Sequence, residues 1–259
     1  MSIMPTDTFD AAMPCEGCRL GEEFPILFTM AFQPIVDITS RSVYAYEALV
    51  RGMNGESAYS VLSQITAKNR YGFDQACRIR AIEWAARLRL HDTPARLSIN
   101  FMPNAVYKPR TCINATLRIA KAVDFPLDRL IFEITESEQV VNHAHLGDII
   151  EQYRDMGFQT AIDDFGAGFS GLNLLAKFQP DVIKLDMELI RGIDADHVRR
   201  SIVASMLTIC RDLNIVAIAE GIETTAERDA LIELGVTLQQ GYLFARPGFQ
   251  SLPVPAFDA

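Results

Sequence analysis

The sequence has no excess of positive charge, no long apolar run and few cysteines, and each shortage excludes a class of protein. Its 259 residues carry 24 Lys and Arg against 33 Asp and Glu, a net charge of −9. Duplex nucleic acid is therefore excluded as a partner, because neutralising its phosphates needs a basic surface. No apolar run approaches the roughly 18 residues of a membrane span. The N-terminal residues lack the basic and apolar regions of a secretory signal, so we expect a cytoplasmic protein.

The five cysteines are consistent with a reducing compartment. Cys77, Cys112 and Cys210 occur singly in apolar helical patterns, which predicts reduced residues of the core. Cys15 and Cys18 form a C-x-x-C pair, but no second pair follows nearby, and a structural zinc ion needs four ligands. We interpret this pair as part of an exposed tail; an intersubunit zinc site and a redox pair remain alternatives.

Short apolar runs alternate with amphipathic helical stretches along most of the chain. Residues 1–27 show no periodicity and predict a flexible leader, whereas residues 28–259 predict a single domain. The apolar runs are Met30–Val36, Val43–Val50, Arg96–Phe101, Leu130–Ile134, Gln159–Ile162, Val182–Leu185, Ile215–Ala219 and Thr237–Leu243. A capping box from Thr224 to Glu227 predicts the start of one helix, and Gly235 its end. One apolar helical face is predicted for Val198, Ile202, Met206, Ile209 and Leu213.

Eight strands separated by helices predict an α/β protein with a modified TIM (β/α)8 barrel. A doubly wound open sheet is the structural alternative, although it rarely uses eight short strands so evenly spaced. The first two runs are joined only by the segment DITSRS, which is too short for a parallel crossover. The first strand is therefore predicted to be antiparallel to the others.

Polar or charged side chains stand at or near the carboxyl ends of seven predicted strands. They are Glu47, Asn100, Glu133, Asp163 with Asp164, Lys184, Glu220 and Gln240. The carboxyl ends of barrel strands converge on one mouth, where active sites are built. Carboxylate and amide oxygens suit Mg²⁺ or Mn²⁺ rather than zinc. A single such residue is usually a helix cap, a turn or a surface lysine, but their recurrence at one end favours a metal-dependent site.

The chemistry of that site is narrowed by two further features. Asp163 and Asp164 are adjacent and could serve two ions, which is the usual apparatus for attack of water on a phosphodiester. Lys184 adds a cation that can orient the water or neutralise developing charge. Spacing alone does not separate this chemistry from proton abstraction of the enolase type.

Eight motifs resemble those of the EAL-domain family of bacterial cyclic-di-GMP phosphodiesterases. They are FQPIV (32–36), EALVR (47–51), SIN (98–100), FEITE (132–136), DDFGAGFSGL (163–172), PDVIKLD (180–186), AEGIET (219–224) and QQGYLFARP (239–247). The resemblance runs from about Met30 to Pro247, and chance agreement across this many ordered motifs is negligible.

The resemblance implies roles for individual residues. Those that look like ligands of the first metal ion are Glu47, Asn100, Glu133 and Asp163. Asp164 is similar to a ligand of the second ion, with Asp163 bridging the two. Glu220 looks like a further carboxylate for metal or water, and Lys184 like the residue that orients the attacking water.

Other positions resemble substrate contacts and a regulatory loop. The substrate contacts would be Gln33, Leu49, Arg51 and Gln240. The loop Phe165–Leu172 resembles a segment that couples dimer contacts to metal occupancy. Its residues include Phe165, Gly166, Gly168 and Ser170, and it would be tethered by Glu136 and Glu223.

The resemblance therefore implies hydrolysis of cyclic di-GMP to linear 5′-pGpG. Water would attack in line with the help of two Mg²⁺ or Mn²⁺ ions, in a protein that forms a homodimer. Two other classes are a cyclic-di-GMP receptor that does not cleave its ligand and a protein-interaction module that binds no nucleotide. The complete set of acidic residues and Lys184 favours the enzyme.

Overall fold

The computed structural model describes residues 26–106, 108–135, 143–168 and 171–257. The predicted leader, including Cys15 and Cys18, lies almost entirely outside these ranges, so the boundary between leader and domain stays a prediction.

Eight strands of the described ranges close into a barrel. They are β1 (Phe28–Asp37), β2 (Ser42–Gly52), β3 (Arg96–Asn100), β4 (Leu130–Thr135), β5 (Gln159–Phe165), β6 (Val182–Leu185), β7 (Val216–Ala219) and β8 (Leu238–Gln239). Strands β2 to β8 pair in parallel in chain order. Strand β1 lies between β8 and β2 and is antiparallel to both. A short β9 (Gly248–Phe249) pairs with Ala31 and Phe32 of β1. The predicted fold and its reversed strand are confirmed.

Helices connect the parallel strands. Those of the described residues are α1 (Ala58–Leu62), α2 (Arg70–Arg87), α3 (Pro109–Cys112), α4 (Asn114–Ala122), α5 (His143–Asp155), α6 (Gly171–Lys177), α7 (Met187–Ile190), α8 (His197–Asp212) and α9 (Thr225–Leu234). None of them combines the length and the apolar character that crossing a membrane requires.

A compact apolar layer fills the part of the barrel interior that lies below the mouth, toward the amino ends of the parallel strands. Its buried residues are Ile35, Ala45, Ile131, Ala161, Val182, Ile218 and Leu238. Side chains two positions apart on a strand point to the same face. Each of these buried residues has a polar or charged residue two positions away along the chain, nearer the barrel mouth. In the same order these are Gln33, Glu47, Glu133, Asp163, Lys184, Glu220 and Gln240. The apolar layer thus supports a polar layer that contains most of the predicted site.

Helices α8 and α9 show how far periodicity predicts burial. Helix α9 has the predicted capping box and ends at Gly235, which adopts a φ of 93°. Helix α8 forms as predicted, but its buried residues are Val203, Met206, Leu207 and Cys210. The predicted face is therefore wrong in part, because Val198 and Ile202, in the first two turns, and Leu213, which follows the helix, are exposed. Cys77, Cys112 and Cys210 are buried, which confirms the predicted core cysteines.

Candidate active site

The ammonium group of Lys184 occupies the centre of the barrel mouth. Its Nζ lies 2.8 Å from Glu220 Oε1, 2.9 Å from Asp163 Oδ1, 3.0 Å from Glu133 Oε2 and 3.3 Å from Glu47 Oε2. The lysine side chain is only 1% exposed. Four strands therefore direct carboxylates at one buried cation, which excludes the alternative of an exposed surface lysine.

The electrostatics of this cluster follow from burial and from the excess of negative charge. Burial opposes the charge of Lys184, but the surrounding carboxylates hold its pKa well above the ordinary value. Burial raises the pKa of Glu133 and of Glu220, and Lys184 only partly offsets this because the neighbouring carboxylates act in the same direction as burial. One ammonium cannot balance this many carboxylates, so the mouth favours additional cations.

Glu47 is fixed by two amide side chains. Asn100 Nδ2 donates to Glu47 Oε1 at 3.1 Å, and Gln240 Nε2 donates to Glu47 Oε2 at 2.8 Å. The Oε1 atom of Gln240 is buried and accepts no hydrogen bond from the described part of the chain. Gln240, predicted as a substrate contact, thus also orients a carboxylate.

A distortion of β5 brings two consecutive carboxylates to the mouth. The pairing of β5 with β6 shifts register between Ile162 and Phe165, and Asp164 adopts a left-handed φ of 54°. Consecutive residues of a regular strand would point to opposite faces. Burial first, and then the charge of Asp163, raise the pKa of Asp164 to about 6.

The carboxylates at the mouth fit a pair of divalent cations. Two sets have oxygens within 4.8 Å of one another, namely Glu47, Glu133 and Asp163, and Asp163, Asp164 and Glu220. Asp163 belongs to both sets, and its role as a bridging ligand stays a prediction. Its Oδ1 is buried and lies 2.9 Å from the Lys184 ammonium. A set of buried carboxylate oxygens, which are hard donors, is suited to Mg²⁺ or Mn²⁺.

Two cavities open on the carboxylates from different sides. The larger, of about 830 Å³, is lined by apolar residues such as Leu49, Leu62 and Phe73. The smaller, of about 240 Å³, is lined by Gln33, Glu220, Gln240 and other residues. Glu47 and Asp164 line both cavities, so these two carboxylates lie between them.

Two of the remaining predicted residues, Gln33 and Arg51, donate hydrogen bonds to backbone carbonyls. Gln33 donates to the carbonyl of Ala245 at 3.2 Å, and Arg51 Nη1 donates to the carbonyl of Val50 at 2.7 Å. Arg51 shares a side of β2 with Leu49 and Glu47, which lie two and four positions before it. Its predicted substrate contact stays a prediction.

The predicted coupling loop is described only in part. Phe165 is buried at the end of β5, and Gly166 has a φ of 103° with no room for a Cβ atom beside Leu189. Gly168 belongs to the same loop, whereas Ser170 and Glu136 lie outside the described residues. Glu223 accepts a hydrogen bond from Arg191 at 2.9 Å.

Sequence reasoning missed two residues that organise the site. Ser98 donates to Glu133 Oε1 at 2.5 Å, and its position two residues before Asn100 was the available signal. Glu227, recognised only as part of a capping box, accepts backbone N–H groups from Glu223, Thr224 and Gly192. It thereby ties the loop that follows Glu220 to the segment after α7.

Comparison with known proteins identifies the family. The sequence model of the EAL domain matches residues 27–247. The chain belongs to the EAL-domain family. An EAL protein from Vibrio cholerae O395, described as standalone, versatile and bound to c-di-GMP, is 53% identical with a TM-score of 0.87. The match covers 91% of this chain and 98% of that one.

Two curated relatives from Escherichia coli have names that indicate different functions. The blue light- and temperature-regulated antirepressor BluF is 33% identical over 223 residues, which cover 86% of this chain and 55% of BluF. The cyclic di-GMP phosphodiesterase PdeF is 30% identical over 226 residues, covering 85% of this chain and 30% of PdeF. The chain thus spans about half or less of these relatives.

Proposed function

We propose that this EAL domain hydrolyses cyclic di-GMP to linear 5′-pGpG. The observation that carries the proposal is the complete carboxylate set around Lys184, with Asp163 shared between two candidate cation sites. PdeF is named as a phosphodiesterase for this nucleotide, and the Vibrio cholerae structure is described as its bound form. Both names support the choice of substrate.

The residues at the mouth divide into two sets of ligands. Glu47, Asn100, Glu133 and Asp163 would hold one Mg²⁺ or Mn²⁺ ion, and Asp163, Asp164 and Glu220 would hold the other. Bound there, the ions would activate water and neutralise charge on the phosphoryl oxygens.

Lys184 and Glu220 act on the water that attacks the phosphorus. The Lys184 ammonium, held in its charged form, would donate a hydrogen bond that orients the water, and Glu220, at the adjacent strand end, would accept the proton that the water loses. As the water oxygen bonds to phosphorus, the bond from phosphorus to the 3′ oxygen on the opposite side breaks, and that oxygen takes a proton from solvent.

The two cavities support a substrate with two bases on one phosphate ring. A dinucleotide ring placed at the shared Glu47 and Asp164 would direct one base into the larger cavity and the other into the smaller one. Gln33, Leu49 and Arg51 are the proposed contacts, with the Arg51 guanidinium suited to a phosphate.

The test is incubation of the purified protein with cyclic di-GMP and Mg²⁺ or Mn²⁺, with an EDTA control and chromatography of the products. Metal-dependent pGpG is expected, and Glu47→Gln or Asp163→Asn should abolish it. Asp181→Asn is the matched control. Asp181 directly precedes β6, away from the mouth, and its carboxylate accepts hydrogen bonds from Thr160. Full activity in either mouth variant would overturn the assignment.

A non-catalytic role is the second candidate, because BluF is named as an antirepressor. Nucleotide binding without cleavage would favour a receptor, and neither binding nor cleavage would favour a protein-interaction module. The proposal also includes a homodimer and a cytoplasmic location. Light scattering of the purified protein and fractionation of cells test these two expectations.

A further inference from the structure

Ser98 is a fully buried hydroxyl inside the barrel with a carboxylate as its partner. It lies on β3 opposite Ile131 of β4, one layer below the pair formed by Asn100 and Glu133. Its Oγ donates to Glu133 Oε1 at 2.5 Å, while the other oxygen, Oε2, lies 3.0 Å from Lys184 Nζ. The two oxygens of Glu133 therefore have different partners.

This difference matters because a glutamate carboxylate is free to turn. The last torsion of a Glu side chain is broad and roughly two-fold, so an unrestrained Glu133 can exchange its oxygens or present both to an ion. With Oε1 engaged by Ser98, Oε2 lies on the side of the Lys184 ammonium, which also contacts Glu47 and Asp163, the other members of its cation set.

We propose that Ser98 is a positioning residue that makes Glu133 a one-oxygen ligand of the first cation. The proposal rests on the proposed metal-dependent function. Mg²⁺ and Mn²⁺ suit compact six-coordinate oxygen sites, whereas Ca²⁺ accepts more ligands and binds carboxylates through both oxygens. Ser98 therefore favours the smaller ions over Ca²⁺.

A matched control exists at the opposite end of the barrel. Thr160 is also fully buried, and its Oγ1 donates to a carboxylate, Asp181 Oδ2, at 3.0 Å. Asp181 belongs to neither cation set. Thr160→Val thus removes the same kind of hydrogen bond without touching a proposed ligand.

The experiment is titration of the EDTA-stripped, full-length protein with Mn²⁺, followed by electron paramagnetic resonance of the free ion, and with Ca²⁺ by calorimetry. Ser98→Ala is expected to weaken Mn²⁺ binding by about 10-fold or more, as is usual for partners of metal ligands. The ratio of Mn²⁺ to Ca²⁺ affinity should also fall. Thr160→Val should change neither value by more than about 2-fold, although both variants lose stability to urea.

The other outcomes are equally decisive. Mn²⁺ binding by Ser98→Ala within about 2-fold of wild type, or an equal loss in Thr160→Val, overturns the role of Ser98 and leaves the proposed function intact. Failure of the wild-type protein to bind Mn²⁺ overturns both. If Ser98→Ala does not fold, Ser98→Cys replaces it; this near-isosteric, weaker donor should give an intermediate Mn²⁺ affinity, and an unchanged affinity contradicts the proposal.

Discussion

Gln240 Nε2 donates a 2.8 Å hydrogen bond to Glu47 Oε2, although 193 positions separate the two residues in sequence. Glu47 lies on β2 and Gln240 directly follows β8, and the reversed strand β1 lies between these two strands. The orientation of a proposed metal ligand therefore depends on closure of the barrel around β1.

Replacing Gln240 with Leu should weaken Mn²⁺ binding about 10- to 100-fold, because Glu47 loses the donor that fixes one of its oxygens. Gln239→Leu is the matched control, since Gln239 is equally buried but donates to the carbonyls of Val236 and Arg228. It should lower stability and leave Mn²⁺ affinity unchanged. Metal titration with urea denaturation distinguishes the two, and equal losses of affinity would contradict a role of Gln240 in orienting Glu47.

The left-handed backbone of Asp164 predicts an inverted order of two substitutions. At a φ of 54°, glycine is free of the strain that alanine suffers, so Asp164→Gly should be more stable than Asp164→Ala by about 1 kcal/mol. At the neighbouring Asp163, which is in extended strand backbone, alanine should be better by about 0.5–1 kcal/mol. Urea denaturation in EDTA measures all four variants. The same order at both positions would show that backbone strain does not decide the difference.

The buried pair of Asp74 and Arg78 predicts a large loss of stability when one partner is removed. Arg78 donates to Asp74 at 2.5 Å and to the Tyr153 hydroxyl at 3.3 Å, and both charged side chains are buried. Arg78→Met should cost about 3–5 kcal/mol, since it leaves an uncompensated carboxylate.

Two further variants test the origin of that loss. Asp74→Asn in the Arg78→Met background should recover part of the stability, because the amide is neutral and its oxygen can still accept from Met102 N. Arg200→Met, which removes the exposed pair with Glu233, should cost at most about 1 kcal/mol. Equal costs of the two single arginine variants in urea denaturation would argue against burial as the cause.

Glu227 predicts a specific dependence of stability on pH. Burial opposes its ionisation, but N–H groups of Glu223, Gly192 and Thr224 hold its pKa below the ordinary value of 4.5. A lowered folded-state pKa stabilises the protein above the unfolded-state value, and this contribution disappears as pH falls through the folded-state pKa. Glu227→Gln should therefore cost about 2 kcal/mol at pH 7 and progressively less below pH 4.5.

Urea denaturation of both proteins between neutral and acidic pH measures this difference. The exposed Glu233→Gln variant is the control and should track the wild type throughout. A constant difference between wild type and Glu227→Gln at all pH values would show that the charge of Glu227 is irrelevant to its hydrogen bonds.

Much of the fold and of the site follows from the sequence because both depend on period-two patterns. Ala45 and Glu47, or Val182 and Lys184, are two residues apart, so an apolar interior residue predicts an inward-facing polar one. The short connection after Asp37 likewise determines the reversal of β1. These relations are local and need no knowledge of packing.

What the sequence does not predict depends on contacts between strands. The central place of Lys184 among four carboxylates results from the stagger of the strands, which no single strand encodes. The register shift at Asp164 brings the side chains of Asp163 and Asp164 to the same mouth, although consecutive residues of a regular strand point to opposite faces. Likewise, Val198 fits the apolar pattern of α8 but is exposed, because the face of α8 that is buried runs through Val203, Met206 and Cys210.

The pairing of β1 with β8 also determines when the protein can work during its synthesis. Val36 pairs with Gln239, so the barrel stays open on the ribosome until the last of its eight strands has emerged. Until then Glu47 lacks Gln240, and the carboxylates of the earlier strands have no closed wall around them. A nascent chain that stalls before this point carries nearly every proposed ligand, yet it cannot assemble the mouth in which they converge.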